Sequence, residues 1–151
     1  MKAKPLYFLH ASVLFVVLSG SLSAQSRAYT PSESISVFPW IQSEKDPLKL
    51  VDSIVIEDRV VESAIGIGGS YTEQYARYER LCEVASEELL KELTKHTNNA
   101  VKVYAYRCLR ERNPSLADAM KVGILDGESK VWWISGCSVD RVPVSDLVNQ
   151  P

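Results

Sequence analysis

The chain has 151 residues, with 17 basic against 19 acidic side chains and a net charge of −2 at neutral pH. This balance argues against nucleic acid as a ligand, because phosphate binding normally leaves a stripe of clustered Lys and Arg. The chain has only two histidines and three cysteines, widely spaced, so the sequence predicts neither a metal site nor a cofactor.

The N-terminal stretch has the order of a signal peptide. Lys2 and Lys4 precede an apolar run over residues 6–18, and small residues follow as far as Ala24. The run is shorter than the roughly 20 residues that a membrane-spanning helix needs. We therefore expect cleavage after Ala24 and a secreted or periplasmic protein that does not contact the membrane. Removing residues 1–24 takes away two lysines and no acids, which leaves 15 basic against 19 acidic residues.

Residues 25–47 are rich in Ser and Pro and have no hydrophobic period, which predicts a flexible leader. The apolar run Val37–Ile41 is the exception within it. One interpretation is a patch that packs across the helices, and the other is a docking peptide for a partner. Packing is favoured because large apolar groups are usually buried.

Residues 48–126 are predicted to form a helical domain. In its first part, 48–67, four apolar residues fall on one helical face: Leu50, Ile54, Val61 and Ile65. The segment is also rich in β-branched residues. We predict a helix there. The run Gly66–Gly69 is interpreted as an interhelical turn, because it lacks the Gly-Lys-Ser/Thr ending of a phosphate loop.

Three further helix starts are predicted from capping residues. Ser70, followed at the third position by Glu73, has the pattern of a capping box. Ser86 precedes two glutamates, and Asn98 or Asn99 precedes the third helix. The periodicity places these residues inward: Tyr75, Tyr78, Leu81, Cys82 and Ala85, then Leu89, Leu90 and Leu93, then Ala100, Val101, Tyr104, Ala105, Cys108 and Leu109. Asn113-Pro114 is predicted to end the third helix.

The phrase Asn99-Ala100-Val101-Lys102, continued by Tyr104-Ala105 and Cys108-Leu109, resembles the second helix of HEAT-like repeats. It departs from that pattern at three positions: Ala100 stands where Pro is usual, Lys102 where Arg is usual, and Cys108 where a small residue is usual. More broadly, Gly66 to Leu109 is similar to a group of uncharacterised secreted bacterial proteins that carry a Gly-rich turn, a Tyr-containing helix and one HEAT-like hairpin, and that continue to a Gly-Cys such as Gly136-Cys137. The resemblance implies a mainly α fold, a short HEAT-like helical hairpin array. It implies no activity, since such repeats are scaffolds with unrelated partners.

A weak internal repeat extends this expectation. Tyr104 follows Tyr75 at the same distance in the sequence as Ser115 follows Ser86. This repeat predicts a further helix over Leu116 to Val122. We therefore expect two hairpins, the second of them degenerate, because a repeat must bury a face against a neighbour.

Residues 127–151 are expected to form a small extended C-terminal segment that packs on the helices. Val131 to Ile134 is the best strand candidate, so Trp132 and Trp133 should point to opposite faces. Both are candidate partner-binding residues because Trp is enriched in binding hot spots. The favoured alternative is edge packing against the leader, since Trp is often only partly buried.

The three cysteines leave two interpretations open. Cys82 and Cys108 lie on the inward faces of helices that could pack together, so they form either a disulfide or two small buried thiols. Cys137 is left over in either case.

No catalytic constellation is visible in the sequence. A Ser/His/Asp or Cys/His arrangement in the mature chain would need His96, which is interpreted as a charge at a helix C-terminus. The pairs Glu57-Asp58 and Glu87-Glu88 are interpreted as solvated helix positions. We therefore expect no enzyme but a secreted or periplasmic protein-interaction module or scaffold, with an unknown protein partner. The alternative is a small secreted hydrolase or inhibitor, which a convergent polar cluster in a pocket would indicate.

Overall fold

The computed structural model describes residues 37–125 and 128–150. The predicted signal peptide and the first part of the leader lie outside these residues. The helices are α1 (Pro39–Ser43), α2 (Pro47–Glu57), α3 (Glu73–Val84), α4 (Glu87–Leu93), α5 (Asn99–Arg112), α6 (Pro114–Ile124) and α7 (Val144–Val148), and the strands are β1 (Arg59–Ile65), β2 (Lys130–Gly136) and β3 (Ser138–Pro143). The described residues are mostly helical, which confirms the mainly α class, and a small sheet joins the helices.

Helix α5 is the centre of the molecule. It packs against five helices, α2, α3, α4, α6 and α7, and against strands β1 and β2. All its residues from Val103 to Leu109 are buried. The predicted burial of Leu93, Tyr104 and Leu109 is confirmed. A helix covered on nearly all sides fixes the positions of the elements around it, because protein interiors are close-packed.

Local capping explains where the central helices begin and end. The Ser86 side chain accepts a hydrogen bond from the Leu89 amide at 3.2 Å, three residues later in α4. The Asn98 side chain accepts one from the Val101 amide at 3.0 Å in α5. Asn113 closes α5 and caps α6, where Pro114 occupies the first turn. The predicted starts at Ser86 and Asn98 are confirmed. The helix predicted over Leu116 to Val122 lies within α6.

The prediction of one helix over residues 48–67 is wrong in its second half. Helix α2 ends at Glu57 because Asp58 takes a left-handed conformation, with φ of 45°. The β-branched pair Val60-Val61 then continues in β1, opposite Trp133 and Ile134 of β2. Pairing with a distant strand therefore decides the structure here, and the helical spacing of the apolar residues does not.

The predicted helix start at Ser70 is also wrong. The backbone of Ser70 exchanges two hydrogen bonds with Ile65, of 2.7 and 3.0 Å, and this bridge closes the Gly66–Gly69 loop. Helix α3 instead begins after Thr72, whose hydroxyl accepts from the amide of Tyr75 at 3.2 Å. Because Ser70 is held in the bridge, Thr72, two positions later, caps the helix instead.

The sheet has the strand order β1-β2-β3, with β1 parallel to β2 and β2 antiparallel to β3. The strand predicted over Val131 to Ile134 lies within β2, so that prediction is confirmed. The C-terminal segment is not extended throughout, because it closes with helix α7, which buries Leu147 and Val148. The last part of the predicted leader forms α1, where Ile41 is buried in the core and Trp40 is exposed.

Candidate functional site

The two tryptophans proposed as partner-binding residues do not share a surface. The indole Nε1 of Trp133 donates to Glu62 Oε1 at 2.8 Å, and its ring packs against the core. Trp132 is 48% exposed on the other face of the sheet. Together with Ile134 and Val139 it lines a shallow groove, and we call these three residues the outer sheet patch. Of these two tryptophans, Trp132 is therefore the one that is exposed to solvent, whereas Trp133 is partly buried.

Cys82 and Cys108 are joined by a disulfide, with their Cα atoms 5.0 Å apart. The bond ties α3 to α5. Cys108 is fully buried, whereas Cys82 is partly buried and lies at the wall of a cleft. Cys137 is an exposed thiol in the turn between β2 and β3. The disulfide thus holds together the two helices that form the cleft.

This cleft lies between α3 and α5 and has a volume of about 450 Å³. Its walls carry tyrosines, carboxylates and one arginine: Tyr75, Tyr78, Glu79, Cys82, Glu83, Glu111 and Arg112. We call it the tyrosine cleft. A smaller polar recess of about 200 Å³ adjoins it and shares Tyr75, Tyr78 and Glu111. The cleft has the size and the mixed apolar and polar lining of a ligand site.

The two tyrosines that line the tyrosine cleft, Tyr75 and Tyr78, belong to an unbroken series of aromatic rings. Ring centroids are 6.0 Å apart between Phe38 and Tyr71, 5.6 Å between Tyr71 and Tyr75, and 5.4 Å between Tyr75 and Tyr78. Tyr78 then stacks on the buried Tyr104 at 4.8 Å. Because each ring supports the next, the tyrosines of the cleft are held in fixed positions by the core.

The hydroxyl groups of these tyrosines differ in their partners. Tyr78 donates to Glu111 Oε1 at 2.7 Å, and Tyr71 donates to Glu79 Oε2. Tyr75 stands between Tyr71 and Tyr78 in the series of rings, and its hydroxyl has no hydrogen-bond partner among the described residues. Tyr75 therefore offers an open donor and acceptor inside the cleft.

Burial and nearby carboxylates raise the tyrosine pKa values. Burial is the main cause at Tyr75 and raises its pKa to about 12, with further contributions from Glu79, Glu111 and Glu62 that outweigh the opposing effect of Arg107. The pKa of Tyr78 is raised in the same way, by burial and by Glu111. The surroundings of the Tyr75 hydroxyl are therefore net negative.

The polar recess is built around an ion pair that connects the sheet to α5. Arg107 donates to Glu62 Oε1 at 2.8 Å, and the same oxygen accepts from Trp133. Arg107 also donates to the side chain of Gln150 at 3.3 Å, and Arg110 donates to the Gln150 carbonyl. The arginines of the recess are thus engaged by the chain itself.

His96 lies outside this region. Its Nδ1 accepts from the amide of Asn98 at 3.0 Å, in the turn between α4 and α5. Within residues 37–125 and 128–150, no group of three His, Cys, Asp or Glu side chains is arranged to hold a metal ion. In the same residues, none of the helices has the length and apolar character needed to cross a membrane.

Sequence analysis found no convergent polar cluster, and the structure contains one. It depends on Glu62, which lies 45 residues before Arg107 and 71 before Trp133, in a segment predicted to be helical. The only local signal was the helical spacing of Tyr75, Tyr78 and Cys82, which was interpreted as an interior face. Tyr78 is buried as expected, but Tyr75 and Cys82 remain partly exposed at the cleft.

Comparisons with protein-family models, with curated proteins and with solved structures give no match for this chain.

Proposed function

We propose that the mature protein is a secreted or periplasmic protein-interaction module, built on HEAT-like helices, that binds its partner in the tyrosine cleft. The observation that carries this proposal is the convergence of fixed tyrosine rings and carboxylates from α3 and α5 in one cleft of about 450 Å³. A cleft with these features is the default position for a binding site.

The packing of α5 supports a HEAT-like scaffold. Helix α5, whose sequence carries the HEAT-like phrase, packs against the preceding α4 and the following α6. Repeats of this kind need neighbours on both sides, because each buries a face that it cannot cover alone. Such scaffolds bind partners along the surfaces between their helices, and the tyrosine cleft is one of these surfaces.

Two observations support export. Residues 1–24 have the order of charge, apolar run and small residues that a signal peptide has. The Cys82–Cys108 disulfide suits an oxidising compartment, where such bonds persist. We expect the native protein to begin at Gln25. Intact-mass measurement of native protein that retains Met1 would contradict export by this route.

The alternative of a small secreted hydrolase or inhibitor is favoured by one observation, the convergence of polar groups at the cleft and its recess. Binding is the better proposal because the carboxylates there already hold protein donors. Glu62 accepts from Arg107 and Trp133, and Glu111 accepts from Tyr78. These bonds fix the walls of the cleft and are not directed at a reacting group.

The test compares two surfaces of the same protein. Mature wild-type protein captures partners from its own periplasm or medium, and the captured proteins are identified by mass spectrometry. Capture is then repeated with Tyr75→Ala in the cleft and with Trp132→Ala on the outer sheet patch, after circular dichroism has verified both folds. We expect Tyr75→Ala to lose the specific partner and Trp132→Ala to retain it.

Two results would overturn this proposal. Loss of the partner in Trp132→Ala, with capture intact in Tyr75→Ala, would move the binding surface to the sheet. A hydrolytic activity found in broad substrate screening and abolished by Glu111→Gln or His96→Ala, with the fold intact, would support the enzyme alternative.

A further inference from the structure

The tyrosine cleft has more acidic than basic groups on its walls. Glu79 and Glu83 come from α3 and Glu111 comes from α5, whereas Arg112 is the one basic residue among the described residues that line it. Glu111 forms no ion pair within the described residues. A cationic group in the cleft would therefore meet carboxylates from both walls.

The basic groups near the cleft are held by other parts of the chain. Arg112 donates to the carbonyl of Ala85 at 2.7 Å, which fixes it at the end of α3. Arg80 lies 2.7 Å from Glu83. On the recess side, the Arg107 side chain is only 10% exposed, and its guanidinium is paired with Glu62. An anion in the cleft would have to compete for these basic groups with the chain's own acceptors.

Tyr75 provides the other half of a cation site. Its ring is partly exposed at the cleft and meets its two neighbours at interplanar angles of 81° and 60°, so it is not sandwiched between parallel rings. The electron-rich face of a tyrosine attracts ammonium and guanidinium groups. The oxygen of its hydroxyl can also accept a hydrogen bond from such a group. Burial and then the carboxylates of Glu79 and Glu111 raise the pKa of Tyr75, so both carboxylates act on this residue.

We propose that the tyrosine cleft binds the cationic head of an arginine or lysine side chain of the partner, held between the Tyr75 ring and the carboxylates of Glu79 and Glu111. This inference rests on the proposed function, because it names the group that the interaction module recognises. It agrees with the acidic balance of the mature chain, 15 basic against 19 acidic residues. The cleft volume of about 450 Å³ has room for one long side chain and its neighbouring backbone.

The test uses small probes that differ in charge and little else. N-acetyl-arginine amide and N-acetyl-lysine amide are titrated into the mature protein, and binding is followed by NMR at the Tyr75 ring. The neutral isostere N-acetyl-citrulline amide is the matched control. We expect both cationic probes to shift the Tyr75 signals in a saturable way, the citrulline probe to leave them unchanged, and the shift to weaken with added salt.

Variants locate the site. In the variants, binding is followed at the Tyr78 ring, which also lines the cleft. Tyr75→Leu, Glu79→Gln and Glu111→Gln should each weaken binding of the arginine probe about two- to fivefold, the range expected for one cation–π contact or one nearby charge. Glu88→Gln changes an exposed glutamate of α4 outside the cleft and should leave binding unchanged. Equal binding of the arginine and citrulline probes would overturn the inference. Saturable binding of acetate or phosphate at the Tyr75 ring, without binding of the cationic probes, would overturn it in favour of an anion.

The two proposals fail in different ways. If no cationic probe binds but Tyr75→Ala still loses the partner, the cation inference is wrong and the interaction module stands. If the arginine probe binds but Tyr75→Ala retains the partner, the cleft holds a cation and the proposed partner surface is wrong.

Discussion

Helix α5 and the three-stranded sheet bury their side chains in opposite ways. Helix α5 is covered on nearly all sides, and every residue from Val103 to Leu109 is buried. The sheet is covered on one face only, so Trp133 is held against the core while its neighbour Trp132 is 48% exposed.

This difference shows where the molecule has freedom to change. A helix that contacts most other elements cannot vary without disturbing them, since interiors are close-packed. A sheet with one open face tolerates changes there. The tyrosine cleft lies beside the constrained element, between α3 and α5, so its tyrosines are positioned by the core and not by a mobile loop.

The largest effect is expected for truncation inside α5. Leu109 is fully buried, so Leu109→Ala should reduce the free energy of unfolding by roughly 2–5 kcal/mol. Leu48→Ala is the matched control, because Leu48 is 55% exposed in α2, and it should change stability by less than about 0.5 kcal/mol. Urea unfolding of both variants measures the difference. Equal losses would mean that α5 is not the centre of the core.

The disulfide between α3 and α5 should contribute nearly as much. It closes a loop with a sequence separation of 26, for which chain entropy gives a stabilisation of about 3–4 kcal/mol. The double variant Cys82→Ala/Cys108→Ala should lose about this much in urea unfolding, and a reductant should change wild type but not the variant. Cys137→Ala is the control and should behave as wild type. No loss in the double variant would favour the alternative of two buried thiols.

The next effect concerns the ion pair that joins the two regions. Among the described residues, removing Arg107 leaves Glu62 with the Trp133 indole as its one side-chain donor, so Arg107→Met should cost about 1–3 kcal/mol. Lys95→Met is the control, because the Lys95–Glu92 pair has side chains 60% and 66% exposed and should contribute less than about 1 kcal/mol. A double-mutant cycle of Arg107→Met with Glu62→Gln measures the coupling. A coupling near zero would show that sheet and helix are not joined through this pair.

The tryptophan pair gives a smaller effect within the sheet itself. Trp133→Phe keeps most of the ring but removes the hydrogen bond to Glu62, which should cost about 1–2 kcal/mol. Trp132→Phe makes the same change on the open face and should stay within about 0.5 kcal/mol. Thermal unfolding of the two variants tests this order. A larger loss for Trp132→Phe would mean that the open face of the sheet is covered in solution.

The same contrast explains how much of the fold the sequence could predict. The starts of α4 and α5 were correct because Ser86 and Asn98 cap their own helices through contacts three residues away. Strand β1 was missed because its partner strand is about 70 residues distant, and helical spacing in Leu50, Ile54 and Val61 was the stronger local signal. Ser70 fitted a helix cap, but its bridge to Ile65 holds it outside the helix, and Thr72 caps α3 instead.

The candidate site was less predictable than the fold. The tyrosine spacing on α3 was visible, but it indicated only an inward face. Whether that face is fully covered depends on how α3 and α5 approach each other, and on Glu62 arriving from β1. The Tyr78–Glu111 contact spans 33 residues and the Arg107–Glu62 contact spans 45, and no local pattern specifies tertiary contacts of this kind.

The smallest expected effect is a change in the pH dependence of stability. Burial, with the carboxylates nearby, raises the pKa of Tyr75 from its ordinary value of 10 to about 12. Between these pH values the unfolded chain loses the Tyr75 proton while the folded chain keeps it, so stability is fully present below about pH 10 and falls as the pH rises toward 12. The pKa values of Tyr78 and Tyr104 are raised as well, which adds losses of stability of the same sign.

Tyr75→Phe removes one of these groups, so the free energy of unfolding should fall less steeply with alkaline pH in this variant than in wild type. Phenolate absorbance should lose the component that titrates near pH 12. Urea unfolding from about pH 9 to about pH 11.5 measures the slope. If both proteins have the same slope, the Tyr75 hydroxyl titrates as in water, and the cleft is more open to solvent than its contact with the core of α5 implies.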